Sequence, residues 1–390
     1  MKLPLANHNH NFWDKLKLAY FLLTKRWSMG EKVAELEKKL AEKSEYKYCV
    51  ATSSGSTANT LVAMNMVRRS EKLPKRSNKV LFCANGWSTT VSPFILAGFE
   101  PVFIDSNERT PTMDFRLLAE YLQKNKVAFV VYTTLLGFQQ VEKIQEVCNH
   151  FGVDLIIDSC EDTIGIEWRG FLNRAIPSKK TSAVAETTSF YLAHEYQACP
   201  EMGAVYTNSR EDYEYYLCAR NHGMIRSIPA YDREHFKANP LVNEKFDFAV
   251  VGNNFRPTEL SAYAVLLDLK KSQKFRTKIH REFYFSCSHI IMHFSTNDYL
   301  FALPLIISKD YENNAEYLIK RIKEIALELD IETRPIVGGN LLRQTCFKEY
   351  GDYREFPNAE YYHNYGIYIG LYRNMNKKLL FKFRDRIANL

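Results

Sequence analysis

Four features are missing from this 390-residue sequence, and each absence removes a class of protein. Its eight cysteines, Cys49, Cys83, Cys148, Cys160, Cys199, Cys218, Cys287 and Cys346, include no C-x-x-C or C-x-C pair. Zinc and iron–sulfur sites usually start from such pairs, so reduced thiols in a cytoplasm are the expectation and no metal is expected. No apolar run approaches the length of a membrane span; the longest are short stretches such as 127–132 and 155–157. Residues 1–12 offer Lys2 and no apolar stretch behind it, so secretion is not expected either. The charge is 52 Lys and Arg against 45 Asp and Glu, a net +7, but the signs are interleaved with no basic stripe. Neither nucleic acid nor a membrane is therefore expected as a partner, whereas an anionic small molecule such as a phosphorylated cofactor or nucleotide diphosphate suits the mild excess. There is no internal repeat and no low-complexity tract.

What is present reads as a soluble globular chain, with 46% hydrophobic and 25% charged residues and enough length for two domains. Residues 13–25 alternate apolar and charged positions as an amphipathic helix does, and Val33, Leu36, Leu40 and Ala41 have helical spacing. Strands are expected at 46–51, 80–83, 101–104, 128–132, 155–157, 188–192 and 203–207. Helical periodicity at 61–67, 115–123, 140–151 and 211–220 separates them. Near-continuous apolar strands alternating with helices predict an α/β fold with a mostly parallel sheet covered on both faces. The stretch 225–254 lacks periodicity and reads as an excursion or boundary. Beyond it, a helix at 258–272, a strand at 300–307 and a helix at 314–329 suit a smaller α/β domain. The division expected is a large domain over 1–250 and a small carboxy-terminal one over 251–390.

In such a sheet the ligand gathers at the carboxyl ends of the strands. The first strand is followed by Thr52-Ser53-Ser54-Gly55-Ser56-Thr57-Ala58-Asn59, small residues at a helix start that can present backbone N–H groups to a phosphate. Alone, such a turn is an ordinary N-cap. The strand at 80–83 leads into Asn85-Gly86-Trp87-Ser88-Thr89-Thr90, placing an indole where it can lie on a flat ligand. The strand at 155–157 ends on Asp158, with Glu161 close behind. A carboxylate at the end of a buried strand needs a cationic or hydrogen-bonded partner, and a protonated pyridine nitrogen is one. The fourth element is Thr188-Ser189-Phe190-Tyr191-Leu192-Ala193-His194.

In that order, these elements resemble the fold type I pyridoxal 5'-phosphate (PLP) enzymes that modify nucleotide sugars. The likeness extends through Trp27-Ser28-Met29-Gly30, Arg220-Asn221-His222-Gly223, Asn254-Phe255-Arg256-Pro257-Thr258-Glu259, and Arg334-Pro335-Ile336-Val337-Gly338-Gly339-Asn340. In the aminotransferases of this family a lysine stands where this chain has His194, and the replacement resembles the sugar 3-dehydratases. Imidazole forms no stable Schiff base, so the resemblance implies a cofactor held non-covalently that can rest as pyridoxamine 5'-phosphate (PMP). It implies glutamate as the amino donor that regenerates PMP. It implies C3 deoxygenation of a nucleotide-diphosphate 4-keto-6-deoxy sugar, hexose or heptose, for surface polysaccharide. An unperturbed histidine, with a pKa near ~6.5, suits proton abstraction at neutral pH.

Carried over by position, Gly55, Ser56 and Ser189 hold the phosphate, Trp87 stacks on the ring, Asp158 keeps the ring nitrogen protonated and Glu161 sits by the ring hydroxyl. His194 is the base. Asn254 and Arg256 reach the phosphate of a neighbouring subunit, which implies a homodimer with active sites at the interface. Trp27, Met29 and His222 fall on the sugar side. The family's Glu-Gly-Gly is Glu201-Met202-Gly203 here, which predicts a narrower approach for cofactor or substrate, and the loop after His194 is longer. The alternatives are an aminotransferase using another lysine, of which Lys179 and Lys180 precede the segment, a radical iron–sulfur dehydrase, and a non-catalytic binding protein that keeps the fold.

Overall fold

The computed structural model describes residues 2–44, 46–71, 77–138, 140–162, 182–194, 196–271, 275–287, 289–292 and 300–390. Helices α1 (Phe12–Thr24) and α2 (Glu31–Ser44) lead into strand β1 (Tyr48–Thr52). Helix and strand then alternate through α3 (Gly55–Glu71), β2 (Lys79–Cys83), α4 (Ser88–Leu96), β3 (Glu100–Ile104), α5 (Phe115–Lys124), β4 (Phe129–Thr133), α6 (Val141–Phe151) and β5 (Asp154–Asp158). Strands β6 (Ala185–Ser189) and β7 (Gly203–Thr207) complete the series before α7 (Arg210–Arg220). They form a seven-stranded sheet in the order β1-β7-β6-β5-β4-β2-β3. Only β7 runs against its neighbours; the other pairings are parallel.

Alternation along the strands explains why they read as unbroken apolar runs. Val80, Phe82, Phe129, Val131 and Ile156 pack into a core on the α3 and α4 face. Their neighbours Leu81, Cys83, Val130, Tyr132, Leu155 and Ile157 pack with Leu118, Leu122 and Ile144 of α5 and α6 on the other. With both faces covered, the period-2 signal disappears from the sequence. The α/β class and the mostly parallel sheet expected from the sequence are the ones found. Strand β6 lies three positions earlier than the 188–192 expected, at Ala185–Ser189. Ala185 and Glu186 pair with Ile156 and Ile157 of β5, and the chain leaves the sheet after Ser189 to form the loop that carries His194.

The stretch 225–254 holds only short 3-10 turns, Ile225–Ser227, Ala230–Asp232 and Glu244–Phe246. Helix α8 (Glu259–Asp268) follows; residue 272, the expected end of this helix, lies outside the described residues. A second core is built by α9 (Phe275–Cys287), β8 (Ala302–Ile306), α10 (Ala315–Glu328), β9 (Arg334–Pro335), α11 (Pro357–Tyr365), β10 (Gly366–Gly370) and α12 (Lys377–Ile387). Its strands form an antiparallel sheet in the order β8-β10-β9. The two cores are not parted at one point of the chain. Ala262, Val265 and Leu266 of α8 pack with Val33, Leu36 and Leu40 of α2 on the first sheet, while Leu3 lies in the second core. Among the described residues no helix is long and apolar enough to cross a membrane.

One carboxylate ties the amino-terminal helices to this scaffold. Glu259, buried at the start of α8, accepts the backbone N–H groups of Gly30 at 2.8 Å, Lys32 at 2.9 Å and Val33 at 2.9 Å. These are the donors that the first turn of α2 cannot satisfy internally. Thr258 meanwhile caps α8 itself through Ser261 N–H. Replacing Glu259 by Ala is expected to lower the unfolding free energy by about 1–3 kcal/mol, since buried donors lose their partner. Urea denaturation of the variant measures this, with Glu259→Gln falling between it and the wild type.

Candidate active site

Strands β1, β2, β4, β5 and β6 each deliver a part of the site at the carboxyl end. After β1, Ser54 N–H donates to Thr57 Oγ1 at 2.9 Å and Thr57 N–H returns to Ser54 Oγ at 3.1 Å. This reciprocal cap leaves the N–H groups of Gly55 and Ser56 in the first turn of α3, where no intrahelical acceptor exists. A Cβ on Gly55 would lie 2.7 Å from Ser189 Cβ and 2.8 Å from Cys160 Sγ, so the cradle admits no side chain there. Beneath it runs β7, where a Cβ on Gly203 would meet Ser54 O at 2.4 Å and Gly55 N at 2.6 Å. The cradle therefore requires glycine at Gly203 as well as at Gly55. Met202, expected to narrow the approach, does not: it is fully buried with Val33, Leu36 and Tyr196 on the opposite face of β7. Adjacent strand residues point to opposite faces, and Met202 takes the core side with Ala204 and Tyr206.

Asp158 closes β5 and is 2% exposed. Its Oδ2 accepts Asn59 Nδ2–H at 3.0 Å and Thr90 Oγ1–H at 2.6 Å, and its Oδ1 accepts Cys160 N–H at 3.1 Å. Asn59, one turn into α3 from Gly55, is itself fixed by Thr187 Oγ1–H at 2.6 Å and by its own bond to Thr89 O at 3.1 Å. Trp87 precedes α4 with 53% of its surface exposed and lines the cavity. Ser56 Oγ–H reaches Thr89 Oγ1 at 3.0 Å, joining the starts of α3 and α4.

His194 lies on the loop after β6. Its Nδ1 is 3.2 Å from Ser189 O. A carbonyl only accepts, so Nδ1 carries the proton and Nε2 keeps its lone pair. The ring packs edge-on against Tyr191 at 5.9 Å and Phe301 at 5.8 Å. Burial, helped by the Arg276 guanidinium and opposed by Asp158 and the Ser189 carbonyl, pushes the imidazole down to about 4. The near-neutral value expected from the sequence is thus corrected. In this pocket His194 is neutral throughout the physiological range, a weaker base that is always available. Glu161 moves the other way: burial and the nearby Asp158 carry it up to about 8, against the pull of a 2.7 Å bond from Leu136 N–H.

These groups surround one cavity of about 530 Å³. Of the residues expected at the site, it is lined by Gly55, Ser56, Trp87, Asp158, Glu161, Ser189 and His194. Asn254 and Arg256 are not among them; they sit on the exposed loop before α8, where Arg256 Nε–H bonds Asn254 Oδ1 at 3.0 Å. Trp27, Met29 and His222 stand on the same side, also off the cavity. Trp27 is exposed with its indole N–H on Leu22 O at 2.8 Å, Met29 packs on the α2 core, and His222 bonds Asn253 O through its backbone at 2.8 Å. Lining residues not assigned from the sequence include Leu5 and Ala6, Asn59 and Thr90, Phe301, Arg334 and Tyr368. For Asn59 a signal existed: it shares a helix face with Gly55 at i+4.

A sheet of this order, with its cavity at the strand ends between two cores, defines the fold type I class of PLP proteins. The chain belongs to the DegT/DnrJ/EryC1/StrS aminotransferase family, whose profile matches residues 14–382. It is 30% identical over 393 residues to the GDP-4-keto-6-deoxy-D-mannose 3-dehydratase of Yersinia pseudotuberculosis, covering 95% of this chain and 94% of that one. A solved structure of the Escherichia coli GDP-4-keto-6-deoxy-D-mannose-3-dehydratase with bound hydrated PLP superposes with a TM-score of 0.84 at 26% identity, over 100% of this chain and 99% of that one. A GDP-4-keto-6-deoxymannose-3-dehydratase holding a trapped PLP-glutamate geminal diamine gives 0.83 at 26% identity, with the same coverage of 100% and 99%.

The residues fit a phosphate and a pyridine ring: a side-chain-free cradle at a helix start, an exposed indole and a fixed carboxylate. They also make a pH prediction that needs no ligand. Glu161 is raised from 4.5 to about 8, so it costs nothing below 4.5 and stability is lost as the pH rises toward 8. Glu161→Gln keeps an oxygen for Leu136 N–H without the charge. Thermal unfolding of the two proteins should coincide near pH 4.5 and separate by pH 9, the variant being the more stable.

Proposed function

We propose that the protein is a PLP/PMP-dependent 3-dehydratase of a nucleotide-diphosphate 4-keto-6-deoxy sugar, with glutamate as amino donor. The observation that carries this is His194, Nε2 unprotonated, at the position where the family's aminotransferases have lysine; no lysine is among the described residues lining the cavity. Lys179 and Lys180 lie outside the described residues. When bound, the cofactor supplies an amine for the C4 ketone and a ring that accepts negative charge. Gly55, Ser56 and Ser189 hold its phosphate, and Trp87 covers its ring. Asp158, held by three donors, meets the ring nitrogen and keeps a proton there. Glu161, protonated in its surroundings at neutral pH, can donate a hydrogen bond to the ring hydroxyl oxygen. His194 Nε2 takes the proton whose removal precedes loss of the C3 hydroxyl. Arg334, the one Arg or Lys among the described lining residues, is the cation available to a glutamate carboxylate.

A charge count supports the homodimer. Among its described lining residues, the cavity of one chain sets the acidic Asp158, Glu201 and Glu332 against Arg334, with Glu161 protonated, yet its ligands bear a phosphate and a diphosphate. Arg256 of a second copy would supply a further cation. Exposed Trp27, Tyr231, Leu241, Phe246, Phe248 and Val251 are apolar surface that such a copy could cover.

The test is incubation with PLP, glutamate and a panel of nucleotide-diphosphate 4-keto-6-deoxy sugars. A product lacking the C3 oxygen, with ammonia released, is expected. Amine retained in the sugar would make the protein an aminotransferase, and no spectral change with glutamate would make it a binding protein. Mixing inactive Arg256→Ala and His194→Asn chains should restore about a quarter of the wild-type sites, because one site of each mixed dimer is intact. No restoration would place Arg256 outside the partner's site.

A further inference from the structure

Three residues beyond His194 on the same loop stands Gln197, which is 1% exposed. Every polar atom of its amide is engaged. Oε1 accepts Asn9 N–H at 2.8 Å, while Nε2 donates to Asn7 O at 3.0 Å and to Leu192 O at 2.6 Å. The backbone N–H of Gln197 donates to Asp268 Oδ2 at 3.1 Å, and Ala198 N–H closes the loop onto Phe190 O at 2.7 Å. One side chain thus spans the loop that carries His194 and fastens it to residues 7 and 9.

Those residues belong to an amino-terminal strap laid on the second core. Leu3 bridges Ile331, with Leu3 N–H on Asp330 O at 2.9 Å and Glu332 N–H on Leu3 O at 2.9 Å. Leu5 N–H donates to Glu332 Oε2 at 3.0 Å, and Leu5 O lies so close to Gly370 that a Cβ there would be 1.5 Å away. Leu5 and Ala6 then line the same cavity as the cradle residues. We infer that Gln197 is a positioning residue that clamps the His194 loop to this strap, residues 2–9, so that the amino terminus forms a wall of the active site and sets where His194 stands.

The inference rests on the role proposed for His194, but its test does not. The groups that bear on the imidazole are Tyr191 of its own loop, Asp158 at the end of β5 and Arg276 of α9, with Glu161, Glu201, Arg334 and Tyr368 on the same cavity. None changes when Gln197 is replaced. Releasing the clamp lets the loop and its ring meet water, which removes the burial that holds the imidazole down. In cofactor-free protein with ¹³C-labelled histidine, the resonance absent from His194→Asn should titrate near 4 in the wild type and move toward 6.5 in Gln197→Ala. Gln197→Glu keeps the acceptor for Asn9 but faces two carbonyls, and should behave like Ala.

Deleting residues 2–6 should produce the same movement, and combining it with Gln197→Ala should add little, since both release one unit. With cofactor and sugar, kcat of Gln197→Ala should fall about 10- to 100-fold while KM changes little, as expected for a displaced base. An unchanged His194 titration in folded Gln197→Ala overturns the clamp, whatever the deletion does. If the wild type fails to dehydrate any sugar yet the titration moves, the clamp stands and the proposed activity falls.

Discussion

A carboxylate buried at the end of a central strand is the constraint around which the first domain is arranged. Left alone, Asp158 would be costly, because an ion deprived of water must find fixed dipoles to replace it. Its donors come from three places: Asn59 on α3, Thr90 on α4 and the backbone of Cys160 beyond the strand. Satisfying it therefore sets both helix starts over the sheet. The same helix starts carry the cradle and Trp87, so the arrangement that stabilises the charge also assembles the ligand site. Both oxygens are held in this way, and the carboxylate still lines the cavity, where it can meet a cation.

Much of this was legible because parallel α/β topology concentrates chemistry at strand ends. Once the apolar runs were placed, Gly55, Trp87, Asp158 and Ser189 had to converge, and the structure brings them to one cavity. Asn254 and Arg256 were equally visible in the sequence, but the cavity of one chain does not contain them. The role proposed for them depends on a second copy, and no pattern within a single chain fixes where such a copy would sit. Local pattern sets β6 at 188–192 because Thr188 to Leu192 is more apolar than Ala185 to Ser189. Pairing with β5, a non-local term, outweighed local preference.

Other parts were silent for definite reasons. Leu5 and Ala6 lie in a short segment with no periodicity, which is placed by contacts of Leu3 with Ile331 and of Leu5 with Glu332 and Gly370, hundreds of positions away. Met202 looks like an obstruction in the sequence because a residue type is visible there and the face it takes is not. One step of strand alternation turned it into core and left Gly203 under the cradle. The imidazole's acidity likewise depends on burial and on Arg276, a buried side chain whose Nη1 donates to the backbone of Phe301.

That depressed imidazole bears on why histidine can replace lysine here at all. Desolvation favours the neutral form of either residue, so the pocket that keeps His194 uncharged would also free a lysine amine to attack a carbonyl. The pocket is compatible with both chemistries, and the side chain decides between them. An amine forms a covalent link and then has to be displaced; an imidazole forms none and is left with proton transfer. The cost is basicity, since a group that holds its proton only near pH 4 removes one from carbon reluctantly. That cost falls when a bound anion approaches, because negative charge near the ring stabilises imidazolium. A phosphate-bearing ligand would thus raise the strength of the base that acts on it, and in its absence His194 would stay neutral and unreactive.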